Sequence, residues 1–142
     1  MSVIRLIAVF SENKVGQLSK LTGILAENGI NIRCVTIATS EKFGVVKLLV
    51  DQPEIAWRKL QEQNLTVSWT DALAVEVEDK PGGLHRIAEA LARHGINLEN
   101  SSGFVACRRA ILLVETSNPQ EARRVLEEER FRLLTSSELM AI

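Results

Sequence analysis

The chain has 142 residues, 46% of them hydrophobic and 25% charged, with 17 Lys and Arg against 18 Asp and Glu and a formal net charge of −1. That length holds one ordinary domain or two small ones, and the composition is that of a folded globular protein rather than a disordered one. A near-neutral balance, no basic run longer than Arg108-Arg109 or Arg123-Arg124, and 4% aromatics without a tyrosine argue against nucleic acid as a partner.

Val3 to Phe10 is apolar and β-branched, the pattern of a buried strand. Leu18, Leu21, Thr22 and Leu25 follow at helical spacing and make one apolar face. Gly29 after Asn28 predicts a left-handed end to that helix. Ile30 to Thr39 reads as a second strand, Ser40-Glu41-Lys42 as a turn and Phe43 to Val50 as a third strand. Pro53 suits the first turn of a second helix, which carries Ala56 and Leu60 inward, and Leu65 to Trp69 is a short fourth strand. The order then recurs: strand Ala72–Glu78, helix Leu84–His94, strands Asn97–Val105 and Ala110–Thr116, helix Gln120–Glu128 and strand Phe131–Leu134.

That recurrence is a duplication. NKVGQLSKLTGILAENGINI at 13–32 aligns without gaps to DKPGGLHRIAEALARHGINL at 79–98. Lys14/Lys80, Gly16/Gly82, Leu18/Leu84, Leu25/Leu91, Ala26/Ala92, Gly29/Gly95, Ile30/Ile96 and Asn31/Asn97 are identical. Pro53/Pro119 and Leu60/Leu126 keep the same offset, while the middle hairpin reads as shifted by about two residues. The expected organisation is two domains, 1–69 and 70–142, each βαββαβ. Right-handed crossovers put both helices of such a unit on one face of an antiparallel sheet, an α+β ferredoxin-like fold. A unit of this size buries little core by itself, so the two are expected to pack as an intramolecular pseudo-dimer.

Two passages carry a family resemblance: Asn13-Lys14-Val15-Gly16-Gln17-Leu18 with Gly29-Ile30-Asn31-Ile32, and Asp79-Lys80-Pro81-Gly82-Gly83-Leu84 with Gly95-Ile96-Asn97-Leu98. A strand, a loop of this form, a helix and Gly-Ile-Asn at the next strand resembles the ACT domain, a small-molecule sensing module of amino-acid metabolism. Because both copies match over nearly the whole chain, the protein resembles the stand-alone tandem ACT proteins of bacteria. Ala38 to Gly44 and Arg132-Leu133-Leu134 add to that match. Val15 stands where the family pattern usually has Pro, and Asp79 where it usually has Asn, so the two sites are expected to differ.

An amino acid needs donors for its carboxylate, acceptors for its ammonium and a pocket for its side chain. Gly16, Gln17 and Leu18, and in the second copy Gly82, Gly83 and Leu84, lie where helix-start N–H groups are unpaired and the helix dipole is positive. Asn13 and Asp79 at the mouth of the turn can accept from the ammonium. Val15, Leu18, Pro81 and Leu84 are candidate pocket walls. The resemblance implies that ligand sits where the second strands of two domains lie edge to edge, which would set Asn97 toward the loop of the first copy and Asn31 toward that of the second. An apolar pocket suits a branched-chain or aromatic amino acid.

The remaining residues suggest no chemistry. His85 and His94 have no Cys, Asp or Ser at a catalytic or metal-binding spacing; His94 is placed to interact with its helix C-terminus. No catalytic residue, metal or cofactor is expected. Cys34 and Cys107 read as buried thiols in a reducing cytoplasm, Ser101-Ser102-Gly103 as a strand bulge, and Trp57 and Trp69 as structural. Neither a signal peptide nor a membrane span is evident. The expected function is a cytoplasmic, non-catalytic sensor, homo-oligomeric and acting allosterically on a regulated enzyme. The alternative is a regulatory small subunit of a biosynthetic enzyme, such as a carboligase, working mainly by protein–protein contact. The tail from Ser136 to Ile142 is compatible with a strand extension or a docking segment.

Overall fold

The computed structural model describes residues 3–142. Its elements are β1 (Val3–Glu12), α1 (Gln17–Glu27), β2 (Ile32–Ser40), β3 (Phe43–Val50), α2 (Pro53–Glu62), β4 (Thr66–Val77), α3 (Gly83–Arg93), β5 (Leu98–Ala106), β6 (Arg109–Thr116), α4 (Pro119–Glu128), β7 (Arg132–Leu134) and α5 (Ser136–Met140). The chain forms two compact units, Arg5–Thr70 and Asp71–Ile142, the second taking in Val3 and Ile4 as well. Both are βαββαβ repeats with antiparallel strands and helices on one face.

In the first unit β3 lies between β1 and β2. Ile7 and Val9 from β1 and Val46, Leu48 and Val50 from β3 point to the same side, as alternation along a strand requires. Leu21 and Leu25 of α1 and Ala56 and Leu60 of α2 cover them. Burial of each leucine stabilises by roughly 1.5–3 kcal/mol. Trp57 and Trp69 stack at 4.6 Å between ring centroids, and the Arg5 guanidinium lies 3.7 Å over Trp69. In the second unit β6 lies between β4 and β5, and β7 pairs with β4. Leu73, Val75, Ile87, Leu91, Ala122, Val125 and Leu126 form the matching core.

The two repeats share one register. Adding 66 to the bounds of α1, β2, β3 and α2 gives the bounds of α3, β5, β6 and α4. The middle hairpin therefore keeps the common offset, and the expected two-residue shift is not there. Even the irregularity in pairing recurs, between Ile32 and Cys34 and between Leu98 and Asn100. That places it ahead of Ser101-Ser102-Gly103, which pair regularly with Val114, Leu113 and Leu112. Gly103 is there for packing instead: a Cβ would lie 2.7 Å from Leu112 Cδ2. The left-handed positions recur as well, at Gly16/Gly82, Gly29/Gly95, Glu41/Cys107 and Asn64/Arg130. Gly29 ends α1 as expected: its N–H bonds to the Ala26 carbonyl at 3.1 Å and that of Ile30 to Leu25 at 3.0 Å.

Three further expectations change. The strands read as Leu65–Trp69 and Ala72–Glu78 are one twelve-residue strand, β4, because a lone Thr70-Asp71 does not break an extended chain. Cys107 is exposed and Cys34 half-buried. Cys107 and Arg108, with φ of 51° and 62°, make a two-residue turn between β5 and β6, where a side chain points to solvent whatever its polarity. The tail turns into the short helix α5, capped by the Thr135 hydroxyl and anchored by buried Leu139. Among the described residues no helix is long and apolar enough to cross a membrane.

Candidate functional site

The loop between β1 and α1 is tied to the β2–β3 turn. The Asn13 backbone N–H donates to the Lys42 carbonyl at 2.8 Å, and its side-chain amide donates to the Glu41 carbonyl at 3.0 Å. Asn13 thus holds two loops together and keeps its own Oδ1 as an acceptor. Asp79 has no side-chain donor and cannot make the second bond. Gly16 then turns the chain into α1 at φ 90°, and Gly82 turns it into α3 at φ 92°. A side chain is strained at that angle, which is why glycine stands at both starts.

Neither helix start has a side-chain cap. The Gln17 N–H bonds to the Lys14 carbonyl at 3.4 Å and that of Lys20 to Gly16 at 3.0 Å. Between them, the Leu18 and Ser19 N–H groups have no acceptor among the described residues. Leu84 and His85 repeat this in α3, between bonded Gly83 and Arg86. Such donors, with the positive end of the helix dipole, suit a carboxylate.

A cavity of about 180 Å³ opens at the head of α1, lined among others by Val9, Asn13, Gln17, Leu18, Ile37 and Thr39. It lies below the ~300–1,000 Å³ of a drug-sized site and is on the scale of one small metabolite. Of the residues expected from sequence, Asn13, Gln17 and Leu18 come together here. Val15 does not: it is fully exposed and forms no wall. Gly16 acts through its backbone turn. Asn31 lies beyond the other end of α1, an eleven-residue helix, about 16 Å away at 1.5 Å per residue. There its N–H donates to Asp51 Oδ1 at 3.0 Å and its carbonyl accepts from the Asp51 N–H at 3.1 Å. Asn97 makes the same latch with Ser117. Ile37 and Thr39 escaped the sequence reading although the signal was present. With Val46 and Leu48 facing the helices, their register partners Ile37 and Val35 face the same way, and Thr39 follows by alternation.

In the second repeat the corresponding loop is built differently. Gly83 stands where the first repeat has Gln17, and a Cβ there would lie 2.6 Å from the Glu78 carbonyl oxygen. Gly83 is needed for close approach of α3 to the end of β4. Pro81 and Leu84 are exposed. Phe131 takes the place of Leu65, and the cavity beside it is a polar groove lined by Glu76, Glu78, Gly83, Arg86, Arg130 and Arg132, among others. Glu76 accepts a two-pronged bond from Arg109, at 2.7 and 3.0 Å. Those bonds, with the charges of Arg109 and Arg132, hold the Glu76 carboxyl below the usual carboxylate range against the opposing effect of burial. His94 caps its own helix, Nδ1 lying 3.0 Å from the Ala90 carbonyl, and exposed His85 lies 3.4 Å from Glu89. Among the described residues, no cluster of three His, Cys, Asp or Glu side chains could hold a metal.

Comparison with known proteins gives the same architecture. The crystal structure of a protein from Bacteroides thetaiotaomicron superposes with a TM-score of 0.93 at 28% identity, covering 99% of this chain and 98% of that one. The ligand-free regulatory subunit of aspartate kinase from Thermus thermophilus gives a TM-score of 0.62 at 17% identity, over 90% and 97%. The corresponding subunit from Thermus flavus gives 0.59 at 15%, over 90% and 96%; at these identities the last two speak for the fold alone. No curated protein sequence matches the chain. The family pattern described as an ACT domain pair runs through residues 1–142, and the chain belongs to that family.

Proposed function

We propose that the chain is a non-catalytic sensor that binds an amino acid at the seam of paired ACT units and regulates amino-acid metabolism through a partner protein. The observation that carries this is the cavity at the head of α1. It joins the unpaired Leu18 N–H of the helix start to an apolar wall, which are the two things an amino-acid carboxylate and side chain require. Asn13 Oδ1 and the Thr39 hydroxyl are the acceptors for the ammonium. Ile37 belongs to β2, for which β3 is the only pairing partner among the described residues. A strand from a second copy of the chain can therefore close the cavity's outer side. Among the described residues, the site offers donors and a pocket, not a nucleophile set beside a base. Ligand shifts the partner to the extent that it favours one arrangement of the units over another.

A thermal-shift screen against the twenty amino acids tests this, because a ligand that binds only the native state raises the melting temperature. One or a few apolar amino acids are expected to do so at millimolar concentration. Thr39→Val and Leu18→Glu are expected to abolish the shift while leaving the unliganded melt nearly unchanged. If no amino acid stabilises the protein, or if the shift survives both substitutions, the sensor reading fails at this site.

A specific observation also favours the second reading, a regulatory small subunit acting by protein contact. Phe10 and Phe43 are 47% and 66% exposed and, with Ala38 and Val45, border an open apolar hollow on the sheet side away from the helices. Co-purification of a large subunit, lost in Phe10→Ser with Phe43→Ser and unaffected by amino acids, would select it.

A further inference from the structure

The groove of the second repeat has a chemistry that the first repeat lacks. At offset 66 its Arg86, Arg130 and Arg132 stand in place of Lys20, Asn64 and Thr66, and Arg109, which pairs with its Glu76, in place of Phe43. Its two acids are already engaged: Glu76 by Arg109 and, at 3.5 Å, Arg132; Glu78 by Lys80 at 2.7 Å. Counting every ion drawn in, Lys80, Arg86, Arg109, Arg130 and Arg132 face Glu76, Glu78 and Glu138, which leaves two positive charges over. This surplus sits in a chain whose net charge is −1.

Two of the arginines keep N–H donors for a ligand. Arg86 approaches Glu78 only to 3.9 Å, and its guanidinium carbon lies 5.2 Å over the centre of the Phe131 ring, a contact that occupies none of its N–H donors. Arg130 has no acidic partner among the described residues. It also sits at φ 65°, directly beyond α4, where its N–H bonds to the Glu127 carbonyl. A left-handed helix end favours glycine or asparagine, and the first repeat has Asn64 there. An arginine accepts that strain without any packing gain, since its side chain is exposed at the groove. Gly83 brings the start of α3 to the same groove, and the Leu84 and His85 N–H groups that follow it have no acceptor among the described residues.

We propose that this groove, about 400 Å³ and open to solvent, binds a small dianion, a phosphate monoester or a dicarboxylate, gripped by Arg86 and Arg130 against the start of α3. Guanidinium forks match the oxygen pairs of both groups, and a second negative charge uses the local surplus that a monoanion leaves unbalanced. The site is independent of the amino-acid cavity of the first repeat.

The test is an amide-detected NMR titration of the whole chain at constant ionic strength, with inorganic phosphate and succinate as probes and acetate as the monoanion. Saturable shifts are expected at Gly83, Leu84, Arg86, Arg130 and Phe131. Saturation by phosphate alone assigns the phosphate monoester, and by succinate alone the dicarboxylate. Arg86→Gln with Arg130→Gln is expected to weaken binding about tenfold or more, with an otherwise unchanged spectrum showing that the fold is kept; Lys59→Gln in the first repeat leaves it as it was. Shifts that rise without saturating, that acetate reproduces equally, or that persist in the double variant overturn the proposal. Shifts at Gln17 and Leu18 on adding an amino acid report the other cavity in the same spectra, so the two readings fail separately.

Discussion

The first repeat presents Phe10 and Phe43 on the sheet face away from its helices, where the second presents Glu76 and Arg109. One pair is an exposed apolar surface, the other an ion pair with two hydrogen bonds, and both sit on the same backbone. Inside, the repeats stayed alike: Leu25/Leu91, Ala56/Ala122 and Leu60/Leu126 are fully buried in both. Packed cores tolerate little change of volume, while an exposed face is free to change its chemistry. Duplication followed by divergence of this kind gives one fold two surfaces of different character.

Four measurements sharpen or break that contrast. Leu60→Ala and Leu126→Ala leave cavities at equivalent places, so each is expected to cost roughly 2–5 kcal/mol in equilibrium denaturation. A difference larger than that range would show that the two cores are not equivalent. Gly83→Ala forces a Cβ against the Glu78 carbonyl and is expected to cost about 1–3 kcal/mol. Gln17→Ala, at the matching position, should stay within about 0.5 kcal/mol; equal effects would refute the different construction of the two loops.

Glu76→Gln is expected to cost about 1–2 kcal/mol at neutral pH by weakening the bonds from Arg109. Because the native carboxyl is held below its ordinary range, its stabilisation is complete above the unfolded value of about 4.3. It is lost as pH falls through the lower native value. Acid melts of Glu76→Gln should therefore be flatter below that pH than those of the parent, and an unchanged acid limb would exclude the ion pair as a source of stability. The smallest effect is expected for Phe10→Glu with Phe43→Arg, which moves the ion pair into the first repeat. The melting free energy should change by less than about 1 kcal/mol, with a stronger salt dependence than that of the parent. A large loss would mean that the two aromatic rings stabilise the first repeat itself.

Most of the fold was legible in the sequence because its signals are local. Leu18, Leu21 and Leu25 mark a helix by spacing, Pro53 and Pro119 mark helix starts, and Gly16, Gly29, Gly82 and Gly95 mark backbone turns that other residues resist. What was not legible depends on which side of a strand faces inward. Ile37 and Thr39 became cavity residues only when pairing with β3 fixed their side of β2. Cys107 looked like a core residue by type, and only its place in a tight turn made it exposed. Val15 looked like a wall for the same reason. The arginine groove was hidden because Arg86, Arg130 and Arg132 are scattered along the chain and meet only where β4, β7 and the start of α3 come together.

The stacked pair of Trp57 and Trp69 has an optical consequence. They are the only two tryptophans of the chain, and both belong to the first repeat. Intrinsic fluorescence excited at the red edge of the absorption band therefore watches one half of the protein, while the peptide circular dichroism watches both. Rings 4.6 Å apart and nearly parallel, at 8°, also couple their transitions, which should give a paired signal in the aromatic circular dichroism. The molecule thus contains its own spectroscopic label, placed so that an event in one repeat can be told from an event in the other without chemical modification.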